Sequence, residues 1–134
     1  MKHTHHRFDI DTPGKDSYRH REAGAAEVML VSSERWALMH EHHGAPEPAV
    51  DQLLGHMTDV DLLLAEGFKK LPCPKMEVYR PSLGKPRRFD DDPDIIAIAS
   101  DEPLADAATP VFDLNDIPAI ADFIVNVGAG NGAD

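Results

Sequence analysis

Residues 94–101, DIIAIASD, decide the fold class. Five apolar residues in a row, three of them isoleucine, stop abruptly at a serine and an aspartate. A strand with one face in water alternates apolar and polar side chains, whereas a strand covered on both faces does not. Residues 60–68, VDLLLAEGF, have the same form and end at Glu66-Gly67. Two such strands separated by helical patterns predict an α/β protein with a mostly parallel sheet and flanking helices. In sheets of this kind ligands gather at the carboxyl ends of the strands. Those ends carry Glu66, Gly67, Ser100 and Asp101.

The remaining segments fit around these two strands. EVMLVS (27–32) and RWALMHE (35–41), separated by Ser32, Ser33 and Glu34, predict adjacent strands. KMEVYR (75–80) and TPVFDL (109–114) predict two more. Across residues 47–57, Val50, Leu53, Leu54 and Met57 recur at helical spacing and predict one apolar helix face. DSYRHREA (16–23) predicts a helix stopped by Gly24. NDIPAIADFIVNV (115–127) predicts a closing helix with Asn115 or Asp116 as N-cap and Pro118 in its first turn. One domain is expected over residues 1–127, followed by a disordered glycine-rich tail over 128–134.

With 134 residues, the chain has the size of one domain. It carries 24 acidic against 13 basic residues, a net charge of −11. That balance excludes a sequence-independent nucleic-acid binder, which needs excess Lys and Arg to neutralise phosphates. No apolar run approaches the length of a membrane-spanning helix. The polar N-terminus does not resemble the apolar core of a secretion signal. Cys73, flanked by prolines, is the one cysteine, so no internal disulfide forms and a reducing cytoplasm is the expected compartment.

Several motifs fail on spacing. A Walker A loop reads G-x-x-x-x-G-K-[ST], so that backbone amides wrap the phosphates while the Lys and hydroxyl reach phosphate and magnesium. In DIDTPGKDS, Gly14-Lys15 match, but Asp9 stands at the first glycine position and Asp16 at the hydroxyl position. Two anions there repel phosphate. HEHH (40–43) places Gly44 where a zincin needs its second histidine, on a predicted strand where that motif needs a helix. No Ser/His/Asp or Cys/His arrangement suggests an independent hydrolase. His3, His5 and His6, with His20 or Asp9 as a further donor, are a candidate zinc cluster beside the plainer reading of solvated loop histidines. Glu66 at the tip of an apolar strand has the form of a Walker B acid that binds magnesium, and Gly67 lets a ligand approach. An ordinary polar turn remains the alternative.

Taken together, KHTHHRFDIDTPGKDSYRHREAGA, RWALMHE, LLLAEGFKKLPCPKMEVYR, IIAIASD and VFDLND followed by AIADFI resemble the molybdopterin-guanine dinucleotide biosynthesis protein B (MobB) family over residues 2–125. The resemblance implies a P-loop NTPase-like protein that binds GTP with Mg2+. It also implies a homodimer with at most weak GTPase activity, working beside the guanylyltransferase that attaches GMP to molybdopterin. It places Glu66 at the Walker-B-like, magnesium-side acid, with Gly67 beside it, and Asp101 at the strand tip where related NTPases read the base. Lys2, His3, Asp9, Asp11, Lys15 and Asp16 fall on the loop facing nucleotide and cofactor. In the family a strand, a Walker A loop and a helix precede KHTHH, so this sequence is expected to lack them and to bind nucleotide poorly. The alternative reading is a nucleotide-independent binding module holding a partner protein, molybdopterin or a metal through its His-rich loop.

Overall fold

A computed structural model describes residues 1–4, 6 and 8–130. The chain forms two units, one of Lys2–Asp61 and one of Met1 with Leu62–Asp134.

In the Lys2–Asp61 unit, α1 (Asp16–Glu22) is entered through the turn Thr12–Lys15. Pro13 holds the second position and Gly14 the third, with φ +87°, and Lys15 N–H donates to the Thr12 carbonyl at 3.2 Å. Proline followed by a positive-φ glycine is the signature of a type II turn. The PGK tripeptide is therefore a helix entry. Gly24, φ +97°, ends the helix as its sequence predicts. The hairpin expected from residues 27–41 is present: β1 (Glu27–Val31) pairs antiparallel with β2 (Trp36–His40), Val28 opposite Met39 and Val31 opposite Trp36. Ser32 closes its loop, its Oγ accepting from Glu34 and Arg35 N–H at 3.2 and 3.1 Å.

The helix predicted across residues 47–57 is shorter, only α2 (Val50–Leu54). Pro48 disfavours helical backbone at the residue before it, and Gly55 weakens continuation beyond Leu54. Met57, the last member of the apolar stripe, is left 43% exposed.

The second unit carries the parallel sheet that residues 94–101 predict. Its strands are β3 (Lys75–Tyr79), β4 (Ile95–Ser100) and β5 (Val111–Asp113), in the order β3-β4-β5 and all parallel. In the central strand β4, Ile95, Ala97, Ile98, Ala99 and Ser100 are all buried, so its unbroken apolar run does reflect cover on both faces. The mixed α/β architecture is consistent with a P-loop NTPase-like fold.

α3 (Ile117–Gly130) follows β5. Of the two N-cap candidates the structure selects Asp116, whose Oδ1 accepts Ala119 N–H at 3.1 Å. Phe112 of β5 meets Phe123 of α3 with ring centroids 5.0 Å apart. The helix continues to Gly130, so residues 128–130 of the expected disordered tail are helical; residues 131–134 lie outside the described residues. A Cβ on Gly128 would lie 3.0 Å from Leu62 Cδ1, so a larger residue there requires the Leu62 side chain to shift.

One strand expectation is corrected. Residues 60–68 do not form a strand buried on both faces: Val60, Leu62 and Leu64 are 57%, 41% and 59% exposed. Leu64 C=O accepts from the Met1 ammonium at 2.7 Å and Glu66 N–H donates to Met1 C=O at 2.9 Å. A strand exists through its neighbours, and pairing limited to one residue cannot extend a ladder.

Candidate functional site at the strand tips

The three parallel strands end in register, Tyr79 beside Ser100 and Ser100 beside Asp113. Just beyond them lies a depression of about 340 Å³ lined by residues 100–105 and 111–113. Ser100, 3% exposed, fixes its wall: its Oγ accepts Glu102 N–H at 3.2 Å and its carbonyl accepts Leu114 N–H at 2.8 Å. Asp101 is therefore held where the buried strand turns into the cleft, with its side chain 33% exposed. Arg80 Nε lies 3.7 Å from its carboxylate. An exposed carboxylate on rigid backbone, at the carboxyl end of a parallel strand, is placed to accept hydrogen bonds from a ligand.

Arg87 lies 2.5 Å from Asp106 and over the rings of Phe89 and Tyr79, at 5.5 and 5.9 Å. The Arg87 hydrogen bond holds the Asp106 carboxyl below its ordinary range. Sequence reading missed Arg80 and Arg87, because nothing local in KMEVYR (75–80) or PRRFDDDPD (86–94) foretells which distant carboxylate each arginine meets.

Glu66, exposed, is followed by Gly67 at φ +86°, a left-handed turn that suits glycine. The acid thus stands at a chain reversal, but on an extended segment and not at the end of a strand.

The loop expected to face a ligand is internally tied. Arg21 of α1 donates to Asp9 Oδ1 at 2.8 Å and to Glu41 Oε1 at 2.6 Å, and its Nη1 lies 3.5 Å from Asp11 Oδ2. Hydrogen bonds to Asp9 and Glu41 push its pKa further above the usual value, so it stays charged. The Asp11 side chain is 3% exposed and accepts Thr12 N–H and Ser17 O–H, each at 2.8 Å. Asp9 and Asp11 thus shape the loop from inside, and Arg21, which contacts both of them and Glu41, is its organiser. Lys15 caps the start of α1 and Asp16 is its exposed first residue.

Lys2 is exposed in a one-residue β-bridge. His3 is partly covered, with Nε2 at 3.1 Å from Glu47 Oε1, and His6 and His20 are exposed. His5 lies outside the described residues. Among the described residues no three His, Cys, Asp or Glu side chains converge as metal ligands. Among them, too, no helix is long and apolar enough to cross a membrane.

Comparison with known proteins agrees with the residues that carry the sequence resemblance. The family described as molybdopterin guanine dinucleotide synthesis protein B matches residues 1–101. The molybdopterin-guanine dinucleotide biosynthesis adapter protein of Escherichia coli K12 is 42% identical over 128 residues, 93% of this chain and 73% of that protein. The adapter protein of the same name from Haemophilus influenzae is 42% identical over 129 residues, 94% of this chain and 70% of its own length. With a family match over most of its length and two relatives at this identity, the chain belongs to the molybdopterin guanine dinucleotide synthesis protein B (MobB) family.

Proposed function

We propose that this chain is an accessory protein of molybdopterin guanine dinucleotide synthesis, assisting the guanylyltransferase that joins GMP to molybdopterin, and that the tip of β4 meets the guanine of a nucleotide. The observation that carries this reading is Asp101, held by a buried parallel strand at the edge of a cleft. A carboxylate offers two acceptor oxygens, which match the N1–H and N2 amino donors of guanine. Glu66, beside the turn at Gly67, is the acid for magnesium, directly or through water. The reading includes a homodimer and at most weak GTP hydrolysis.

The residues present fit the two ends of Mg-GTP unequally. Asp101 suits the base and Glu66 the cation. The phosphates lack a cradle, because the 134 residues contain no G-x-x-x-x-G-K-[ST] and Gly14-Lys15 belong to a turn flanked by Asp9 and Asp16. The chain by itself therefore binds GTP weakly.

Weak binding is measurable by NMR. Millimolar GTP is expected to shift the amide signals of residues 100–102, 104, 105 and 113. Asp101→Asn abolishes those shifts for GTP and creates them for XTP, whose C2 carbonyl accepts from the new amide. Shifts confined to other residues, or indifferent to the substitution, contradict the assignment of the base.

A further inference from the structure

Charge is distributed unevenly along this acidic chain. Residues 69–88 hold seven of its 13 Lys and Arg but one of its 24 Asp and Glu, Glu77. Four of those cations are neutralised within the unit. Lys75 lies 2.9 Å from Asp94 and 3.5 Å from Asp92, Arg80 is 3.7 Å from Asp101, Arg87 is 2.5 Å from Asp106, and Arg88 is 3.6 Å from Asp92. Burial alone would lower the pKa of Lys75, but the hydrogen bond to Asp94 and the charge of Asp92 outweigh it and raise the value. The other three, Lys69, Lys70 and Lys85, are exposed, and among the described residues no carboxylate lies at ion-pairing distance from their ammonium groups.

These cations sit on fixed backbone. Arg88 Nη2 donates to the Lys69 carbonyl at 3.4 Å, drawing the segment after Gly67 against the segment before β4. The Glu77 carboxylate accepts the N–H groups of Arg88 and Phe89 at 3.2 and 2.8 Å, which anchors the second segment to β3. Four prolines stiffen the stretch, at positions 72, 74, 81 and 86, and Val78 and Leu83 are 65% and 63% exposed within it.

We propose that residues 69–88 form a docking surface for an acidic face of a partner protein. This rests on the adapter reading above, under which the partner is the guanylyltransferase. A small phosphate ligand fits less well. It needs donors converging in a cleft, and the nearby depression of about 370 Å³ is lined by Asp91 and Asp92 together with arginines already paired. Dispersed lysines beside exposed apolar side chains instead resemble a charged rim around an apolar contact. Lysines also discourage pairing at a sheet edge such as β3, a role that would leave partner binding untouched and so is separable by experiment.

The test is the association rate of the full chain with the guanylyltransferase of the same organism, followed by biolayer interferometry. Rim charges act chiefly on association and are screened by salt. Lys69→Glu/Lys70→Glu/Lys85→Glu is expected to slow association at least about tenfold at about 50 mM salt, with the gap closing near about 0.5 M. Arg19→Glu/Arg35→Glu, which reverses two exposed cations of the other unit, leaves the rate unchanged. A triple variant that binds as fast as the parent overturns the docking surface and leaves the adapter reading standing. No association of the parent chain overturns both. Tripolyphosphate is the second probe: if the triple variant loses its binding while keeping that of the guanylyltransferase, the surface serves a small phosphate ligand and the proposal fails.

Discussion

Ile98→Ala lowers the melting temperature of the parallel-sheet unit by about 15 °C, the consequence of losing about 3 kcal/mol. Ile98 is 0% exposed at the middle of the central strand, in register with Glu77 of β3 and Val111 of β5. Its neighbours on β4, Ala97 and Ala99, lie on the opposite face of the sheet and cannot fill the space left behind. The cost therefore combines the lost transfer of the removed carbons with that of a cavity. Val78→Ala is the control, on β3 but 65% exposed, and should move the transition by about 4 °C or less. Calorimetry of the two variants decides the matter. Equal shifts would mean that β4 is not the buried centre of this unit.

GTP affinity should depend even more strongly on a segment these residues do not contain. A version extended upstream by a strand, a G-x-x-x-x-G-K-[ST] loop and a helix is expected to bind Mg-GTP about a hundredfold tighter or better than the 134-residue chain. Each charge-assisted hydrogen bond from a phosphate loop contributes about 1.5–3 kcal/mol, so two suffice for that factor. The extended chain is also the one whose binding depends on magnesium. Its affinity should fall when magnesium is chelated or when Glu66→Gln removes the acid. Titration calorimetry reads all four cases. Equal, saturable affinity of the 134-residue and extended chains contradicts the assignment of the phosphate site.

The sequence was most legible where structure is local or a strand is fully covered. The run IIAIA names β4 because a continuous apolar run suits a parallel strand covered on both faces. Gly24 and Asp116 mark helix ends through their own backbone and side-chain chemistry. Residues 60–68 carry the same apolar signal as β4, yet they lack the neighbours that turn an extended segment into a strand. That difference lies outside the segment and cannot be read from it. The site divides the same way. Asp101 was legible because strand tips are predictable, but the loop of Asp9 and Asp11 takes its shape from Arg21 and Glu41, ten or more residues away. A resemblance located that loop without revealing that its carboxylates are already engaged.

Reconstitution of dinucleotide synthesis tests the central claim most directly. Purified guanylyltransferase, molybdopterin and Mg-GTP are combined with and without this chain, and the molybdopterin guanine dinucleotide formed is measured over time. Formation is expected to be faster or more complete in the presence of the chain, with the gain reduced by Asp101→Asn. Formation that is identical with and without the chain, across its full concentration range, would contradict an accessory role.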